Sequence, residues 1–286
     1  MYHVISNPVA GKKGSSETLK KVVDGLKNAN AEFSVSETVC KADAKRIAKE
    51  LTEAGAKRLI VIGGDGTLHE VLNGIIDPAN VELGLIPAGT GNDFADAAGI
   101  PSDPLAALEL ILKGEAKETD YMEVGGVRSM NLCGMGIDVE VLERCQKGRM
   151  KGKPKYLLSL LQSVIKFKGH DITFEKDGKT VQEKVLIAAV GNGCQCGGGL
   201  KVCPDAVIDD GKLDVVVVGY LKGLIQLAKA FSALMKGKIT SLPVTKHFLA
   251  EEISISSAPC TVQLDGELYK DLAFNVKVKK GLKVYR

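Results

Sequence analysis

No stretch of this 286-residue chain is long and apolar enough to span a membrane, and the most hydrophobic segment, LDVVVVGYLKGLIQLAKAF, is broken by Asp214, Lys222 and Lys229. The opening MYHVISNPVAGKKG lacks the basic head, apolar run and small-residue cleavage site of a secretory signal, so the sequence predicts a cytoplasmic protein. A strong charge of either sign is missing too. At net charge +3 and pI near 8.3 nothing electrostatic points to nucleic acid as a partner. The seven cysteines are odd in number, and Cys194, Cys196 and Cys203 form a C-x-C with one distant partner, not the paired spacing of structural zinc sites. Reduced thiols packed as small hydrophobes are the expected state. Solenoid-length repeats and low-complexity tracts are absent.

What is present suffices for two cores, since 45% of the residues are hydrophobic. Over the first 120 or so residues the apolar runs YHVIS, FSVSET, RLIVIG and VELGLI alternate with amphipathic stretches such as SETLKKVVDGLKNA and DAKRIAKELTEAG. That alternation predicts an open α/β domain with a parallel sheet over residues 1–121. Beyond it, β-rich runs with turn signals dominate, and DG dipeptides at Asp177, Asp210 and Asp265 predict hairpin turns. Helices are expected near 155–167 and 223–236. The second domain, 122–286, reads as a mostly antiparallel β-sandwich or barrel. The fold class is therefore α/β plus mainly β, with an active site expected in the cleft between the domains.

Three glycine loops follow three of the predicted strands: NPVAG (7–11), GGDGT (63–67) and PAGTGND (87–93). In an open parallel sheet the carboxyl ends of the strands line one edge, so such loops can converge on one ligand. GGDGT is not a Walker loop, because it lacks the lysine-ended sequence that grips phosphates. It also carries an anion of its own, Asp65, where a phosphate is expected.

Taken in order, NPVAG, GGDGTLHEVLNGI, PAGTGNDFA, ETDYMEV, PDAVIDDGKLD and QLDGE resemble the diacylglycerol kinase and sphingosine kinase family of lipid kinases, in its soluble bacterial branch, over nearly the whole chain. GGDG alone is shared with NAD kinases and phosphofructokinases, while its combination with PAGTGNDFA is specific. The resemblance implies an ATP- and Mg2+-dependent kinase that phosphorylates a lipid hydroxyl, foremost that of diacylglycerol. It implies nucleotide contacts at Asn7 and Gly11, at Thr38, at Gly63, Gly64, Asp65, Gly66, Thr67 and Glu70, and at Gly89, Thr90 and Asp93. Asp65 and Asp93 would face the nucleotide's Mg2+, which answers the puzzle of an acid in a phosphate loop: a divalent cation stands between them. The same resemblance makes Asp65 and Asp120 acidic groups of the catalytic site and Glu267 the general base. It also implies a structural Mg2+ on the Asp210 side chain and the carbonyls of Val207 and Lys212.

Read without the resemblance, Asp65 is a helix cap, Asn92 and Asp93 are turn or capping residues, and PDAVIDDGKLD is a hairpin turn. His69 is expected at a surface position of its helix. Two other functions stay in view: a soluble-metabolite kinase of the NAD kinase type, against which stand PAGTGNDFA and QLDGE, and a noncatalytic nucleotide-binding regulator. Between Arg144 and Lys168 the chain carries eight basic residues and no acidic one, with Tyr156, Leu157, Leu160, Leu161, Val164 and Phe167 at helical spacing. This segment is the expected dock for an anionic membrane surface, which would make the protein peripheral to the inner face of the membrane. A homodimer stays open.

Overall fold

The computed structural model describes residues 1–11, 15–147, 163, 167–176, 178–258 and 260–286. The chain divides into two compact units, Met1–Tyr121 with Lys280–Arg286, and Met122–Lys279. Most of the basic 144–168 segment and the helix expected near 155–167 lie outside the described residues. Of that segment's cations, Arg144 is engaged in an ion pair with Glu140 at 2.7 Å.

The first unit runs β1 (Tyr2–Ser6), α1 (Ser16–Asn28), β2 (Phe33–Glu37), α2 (Asp43–Glu53), β3 (Arg58–Gly63), α3 (Asp65–Gly74), β4 (Glu82–Pro87), α4 (Asp93–Ala97) and α5 (Pro104–Lys113). Its sheet has the order β2-β1-β3-β4, with every neighbouring pair parallel. Leu59, Ile60, Val61 and Ile62 of β3 are all fully buried. A strand with both faces covered needs no polar alternation, which is why RLIVIG reads as a continuous apolar run. The helices supply the cover from one stripe each: α1 buries Val22 and Leu26, and α2 buries Ala44, Ile47 and Ala48. Because the strands are parallel, their βα loops emerge at one edge of the sheet.

β5 (Ala116–Val124) carries the chain past Tyr121 and turns through Gly125 and Gly126, both at positive φ, into β6 (Val127–Ser129). β7 (Leu132–Gly136), α6 (Ile137–Lys147), β8 (His170–Lys176), β9 (Lys179–Gly191) and β10 (Leu213–Gly219) follow. α7 (Leu224–Met235), β11 (Thr245–Ala250), β12 (Glu252–Ser257), β13 (Thr261–Leu264), β14 (Glu267–Lys270) and β15 (Phe274–Tyr285) complete the chain. Along this second unit the strands pair antiparallel: β14-β13-β7-β9, then β9 with β8 and β10, β10 with β11, and β8-β12-β15. Val215 and Val217 of β10 enter a core with Phe174, Val190 and Ile255, while Val216 and Val218 enter a second core with Leu221 and Ala230. The unbroken VVVV run therefore has the same cause as the run in β3: burial on both faces. The architecture is an N-terminal α/β unit and a C-terminal β-sandwich unit.

Two details depart from the sequence reading. Lys283 and Val284 of β15 pair parallel with Glu82 and Leu83 of β4, so the C-terminal residues 280–286 return to the first unit. A single boundary at 121/122 has no means of anticipating this, because β15 is one uninterrupted strand pattern. Asp210-Gly211, expected as a hairpin, is instead an entry turn to β10, whose strand partners are β9 and β11. Asp210 Oδ1 accepts the Lys212 N–H at 2.8 Å and closes the turn locally. Asp265-Gly266 is a two-residue hairpin turn, with φ of 50° and 88° and Leu264 opposite Glu267. Lys176 lies opposite Lys179, and Asp177 between them is outside the described residues.

Candidate active site

Four βα loops are bonded into one surface at the carboxyl edge of the first unit's sheet. Thr38 N–H donates to Ser6 O at 2.9 Å, Asn7 N–H to Ile62 O at 3.0 Å, and Ala88 N–H to Gly63 O at 2.8 Å, extending the strand ladders into the loops. Asn7 Nδ2 donates to Thr67 Oγ1 at 3.1 Å, joining the first glycine loop to the second. Glu70 Oε1 accepts the Ala42 N–H at 2.8 Å, and Asp43 Oδ2 accepts that of Val39 at 2.9 Å, so both ends of the loop after β2 are pinned by carboxylates. The Val39 N–H, followed by Arg46, holds the Asp43 carboxyl below the usual carboxylate range.

The glycines of these loops serve the loops themselves. A Cβ on Gly64 would sit 2.8 Å from Gly89 Cα, a Cβ on Gly63 would sit 2.6 Å from Thr67 Cβ, and one on Gly11 would overlap Ala88 O. Close approach of one loop to the next, and of Gly63 to its own Thr67, is a reason for them visible within the fold.

Asp65 begins α3, and its carboxylate reaches the third loop, where Oδ2 accepts the Asn92 N–H at 2.8 Å and Oδ1 the Phe94 N–H at 3.3 Å. The cap reading thus holds in an unexpected form: Asp65 caps the start of α4, not its own helix. Asn92 completes the turn, standing at φ 58° with Oδ1 accepting the Gly89 N–H at 2.9 Å. A Cβ on Gly91 would lie 2.9 Å from Asp65 Oδ2 and 3.1 Å from Asp93 Oδ2, so two carboxylates from different loops flank one gap that only glycine leaves open. That donor set suits Mg2+, which uses one or two protein carboxylates beside substrate phosphates and water.

Thr38, Thr67 and Asp93 are buried, Gly66 and Thr90 are exposed, and Asp120 is buried in β5. His69 corrects an expectation, being 3% exposed. α3 buries Thr67, Leu68, Val71 and Leu72 as well, so it presents little free surface on which a histidine could stand.

In the second unit Glu267 opens β14, half-buried, two residues after Asp265. Sequence reading passed over Asp265 as a turn former. Its Oδ1 accepts Ser129 Oγ–H at 2.8 Å, Asn131 N–H at 2.9 Å and Leu132 N–H at 3.2 Å, and its Oδ2 accepts Met130 N–H at 2.9 Å. Gln263 Oε1 accepts the Gly266 N–H at 2.9 Å from the other side. The hairpin that carries Glu267 is thereby fixed at its tip.

Asp138, also unforeseen, sits in the first turn of α6 at 6% exposure, and neither carboxylate oxygen has a hydrogen-bond partner of good geometry among the described residues. Burial pushes its carboxyl up to about 6, an effect that the Val139 N–H and the Gln263 amide offset only in part. Asp138 lines a cavity that is otherwise apolar, formed by Leu186, Ile187, Leu200, Leu227, Phe231 and neighbours. Cys196 is part of that lining. Cys203 is fully buried, its thiol pushed up by burial, and no disulfide joins the described cysteines.

At the expected ion site around Val207, Asp210 and Lys212 one side-chain bond is local. Asp210 takes the Lys212 N–H, and the buried Asp214 takes His247 Nε2 at 2.6 Å. No group of three His, Cys, Asp or Glu side chains suited to a metal occurs among the described residues. A cation at this loop rests on the resemblance alone.

Comparison with known proteins matches the chain in two consecutive segments. Residues 1–124 match the diacylglycerol kinase catalytic domain, and residues 131–285 match the YegS C-terminal NAD kinase beta sandwich-like domain. A protein of Xanthomonas campestris pv. campestris named "Probable lipid kinase YegS-like" is 32% identical over 282 residues, covering 93% of this chain and 90% of its own. The chain belongs to the diacylglycerol kinase and YegS-like family of lipid kinases. A further family member, the diacylglycerol kinase of Staphylococcus carnosus, is 30% identical over 99% of this chain and 94% of its own. Among solved structures, a diacylglycerol kinase from Bacillus anthracis str. Sterne superposes with a TM-score of 0.80 at 27% identity, covering 99% of this chain and 96% of that one. No helix among the described residues of this lipid kinase is long and apolar enough to cross a membrane.

Proposed function

We propose that the chain transfers the γ-phosphoryl group of ATP to the hydroxyl of a membrane lipid, with diacylglycerol as acceptor and phosphatidic acid as product. The observation that carries the lipid over a soluble acceptor is the apolar cavity of the second unit. A nucleotide-like metabolite would leave its leucine, isoleucine and phenylalanine lining without a counterpart, whereas an acyl chain buries its methylene groups there. Asp138, the one carboxylate among the described lining residues, is suited to accept a hydrogen bond from the polar end of the acceptor.

In this reading the four bonded loops of the first unit orient the nucleotide, and Asp65 and Asp93 hold its Mg2+. When bound, the cation neutralises charge on the phosphates. Asp65 has a second duty, since its bonds to Asn92 and Phe94 keep the third loop in register with the second. Glu267 takes the proton of the acceptor hydroxyl as that oxygen bonds to the γ-phosphorus and the bond to the ADP oxygen breaks. Phosphoryl transfer proceeds through a loose transition state, so an ordinary carboxylate is base enough, provided that it is fixed in place. Asp265 and Gln263 supply that fixing.

The test incubates the protein with labelled ATP, Mg2+, a panel of lipids and NAD, and separates organic from aqueous products. Label in diacylglycerol is expected; label only in NADP would end the lipid reading in favour of the NAD kinase type. Glu267→Gln should lower turnover by about 10²–10⁴-fold while nucleotide affinity stays nearly constant. Asp65→Asn should weaken both, because the amide neither faces a cation as a charge nor accepts two N–H groups equally well.

A further inference from the structure

We infer that the outer face of α7 is a docking surface for anionic lipid bilayers; this rests on the lipid-kinase reading above and names the surface that brings the enzyme to its substrate. No acidic residue occurs between Asp214 and Glu251, a span that contains the whole helix. The inner face of α7, through Leu227, Ala230, Phe231 and Leu234, lines the apolar cavity. The outer face carries Lys229 with Lys222 before it and Lys236 after it, all exposed, together with Ile225 at 75% and Met235 at 50% exposure.

A solvated helix face looks different, and the same molecule provides the control. α1 and α2 mix acids with bases on their exposed sides and link them at helical spacing, as in Lys21–Glu17 and Arg46–Glu50. Lys222, Lys229 and Lys236 have no ion-pair partner among the described residues, and the other exposed positions of α7 are the large apolar Ile225 and Met235 with the uncharged Gln226, Ala228 and Ser232. Acids stand beyond both ends: Glu183 lies against Gly219 and is paired with Lys246, and Pro204 approaches Gly237 with Asp205 following. Apolar side chains framed by unpaired cations on a short surface helix match the interface of a bilayer, where acyl chains lie just beneath anionic headgroups. A folded protein partner would have to offer both an apolar surface and a dense acidic one; an anionic membrane offers them everywhere.

The test measures sedimentation of the full chain with vesicles of phosphatidylcholine alone and of phosphatidylcholine mixed with phosphatidylglycerol. Binding to the mixed vesicles only, weakened by salt, is expected. Lys222→Glu with Lys229→Glu and Lys236→Glu should reduce it on the order of a hundredfold. Ile225→Ser with Met235→Ser should weaken it too, by a loss that salt does not erase. Charge reversal of Lys20, Lys27 and Lys57 in the first unit, with unchanged thermal midpoints in all variants, is the matched control. Equal losses in both lysine triples would overturn the proposal in favour of general attraction. Sedimentation of the free protein as a dimer that the α7 variants dissociate would also overturn it, making the face a subunit interface. Vesicle binding needs no catalysis, so a kinase that phosphorylates dispersed lipid yet ignores the α7 variants fails here alone, and a chain that docks but phosphorylates no lipid fails the functional reading alone.

Discussion

The loop edge of the first unit and the cavity of the second treat carboxylates in opposite ways. At the loop edge Asp65 and Glu70 accept backbone N–H groups from other loops and Asp43 accepts one from its own, so the loops are set before any ligand arrives. In the cavity Asp138 meets hydrocarbon and lacks a well-formed partner, so its charged form is destabilised. Satisfied acids build the scaffold of a polar site; an unsatisfied one marks a place where stability has been given up, as is common where a ligand is to be received. Asp265 shows that the second unit can satisfy a carboxylate fully when position is what matters.

Three substitutions break or sharpen that comparison. The largest effect is expected at Asp265. Asp265→Ala strands three N–H donors and a hydroxyl, and should cost about 3–5 kcal/mol in urea denaturation, while Asp265→Asn keeps part of the set and loses less. A loss near zero would mean that the tip of the Glu267 hairpin is held by other contacts.

Asp138 should behave in the reverse sense. Its carboxyl lies near 6 in the folded chain and near 4 when unfolded, so the native state binds more protons in between. Its contribution to stability is full below about pH 4 and is lost as pH rises through about 6, a decline on the order of 2–3 kcal/mol. Asp138→Asn should remove that slope and leave the protein more stable than wild type at neutral pH. Parallel stability curves for the two proteins between pH 4 and 7 would contradict the picture of an uncompensated acid.

The smallest effect is expected at Glu70. Glu70→Ala removes one acceptor from the Ala42 N–H, which water can partly replace at that exposed loop, so a loss of about 1 kcal/mol in thermal or urea unfolding is expected. An effect as large as that at Asp265 would show the four loops to be more cooperative than their separate bonds suggest.

Periodicity and turn chemistry carried much of this molecule. The strand and helix patterns of the first unit, the all-apolar β10 and the helix near 223–236 are local properties, because side-chain spacing alone decides which face can be buried. The glycine loops were legible for the same reason: glycine and acid at strand ends limit what the chain can do there. Partners distant in sequence were not legible. Asp65 is written beside α3 but caps α4, Gly64 is shaped by Gly89, and Asp265 reaches back to Ser129 through Leu132. A turn signal states only that the chain bends. Which N–H groups a carboxylate will meet depends on strand order and register, which are settled when nonlocal strands pair. The burial of His69, the uncompensated Asp138 and the return of β15 to β4 belong to the same class. Sequence by itself determined the elements, the loops and the kind of chemistry; only the tertiary structure decided which acids are satisfied and which remain costly, because that depends on what long-range packing brings against them.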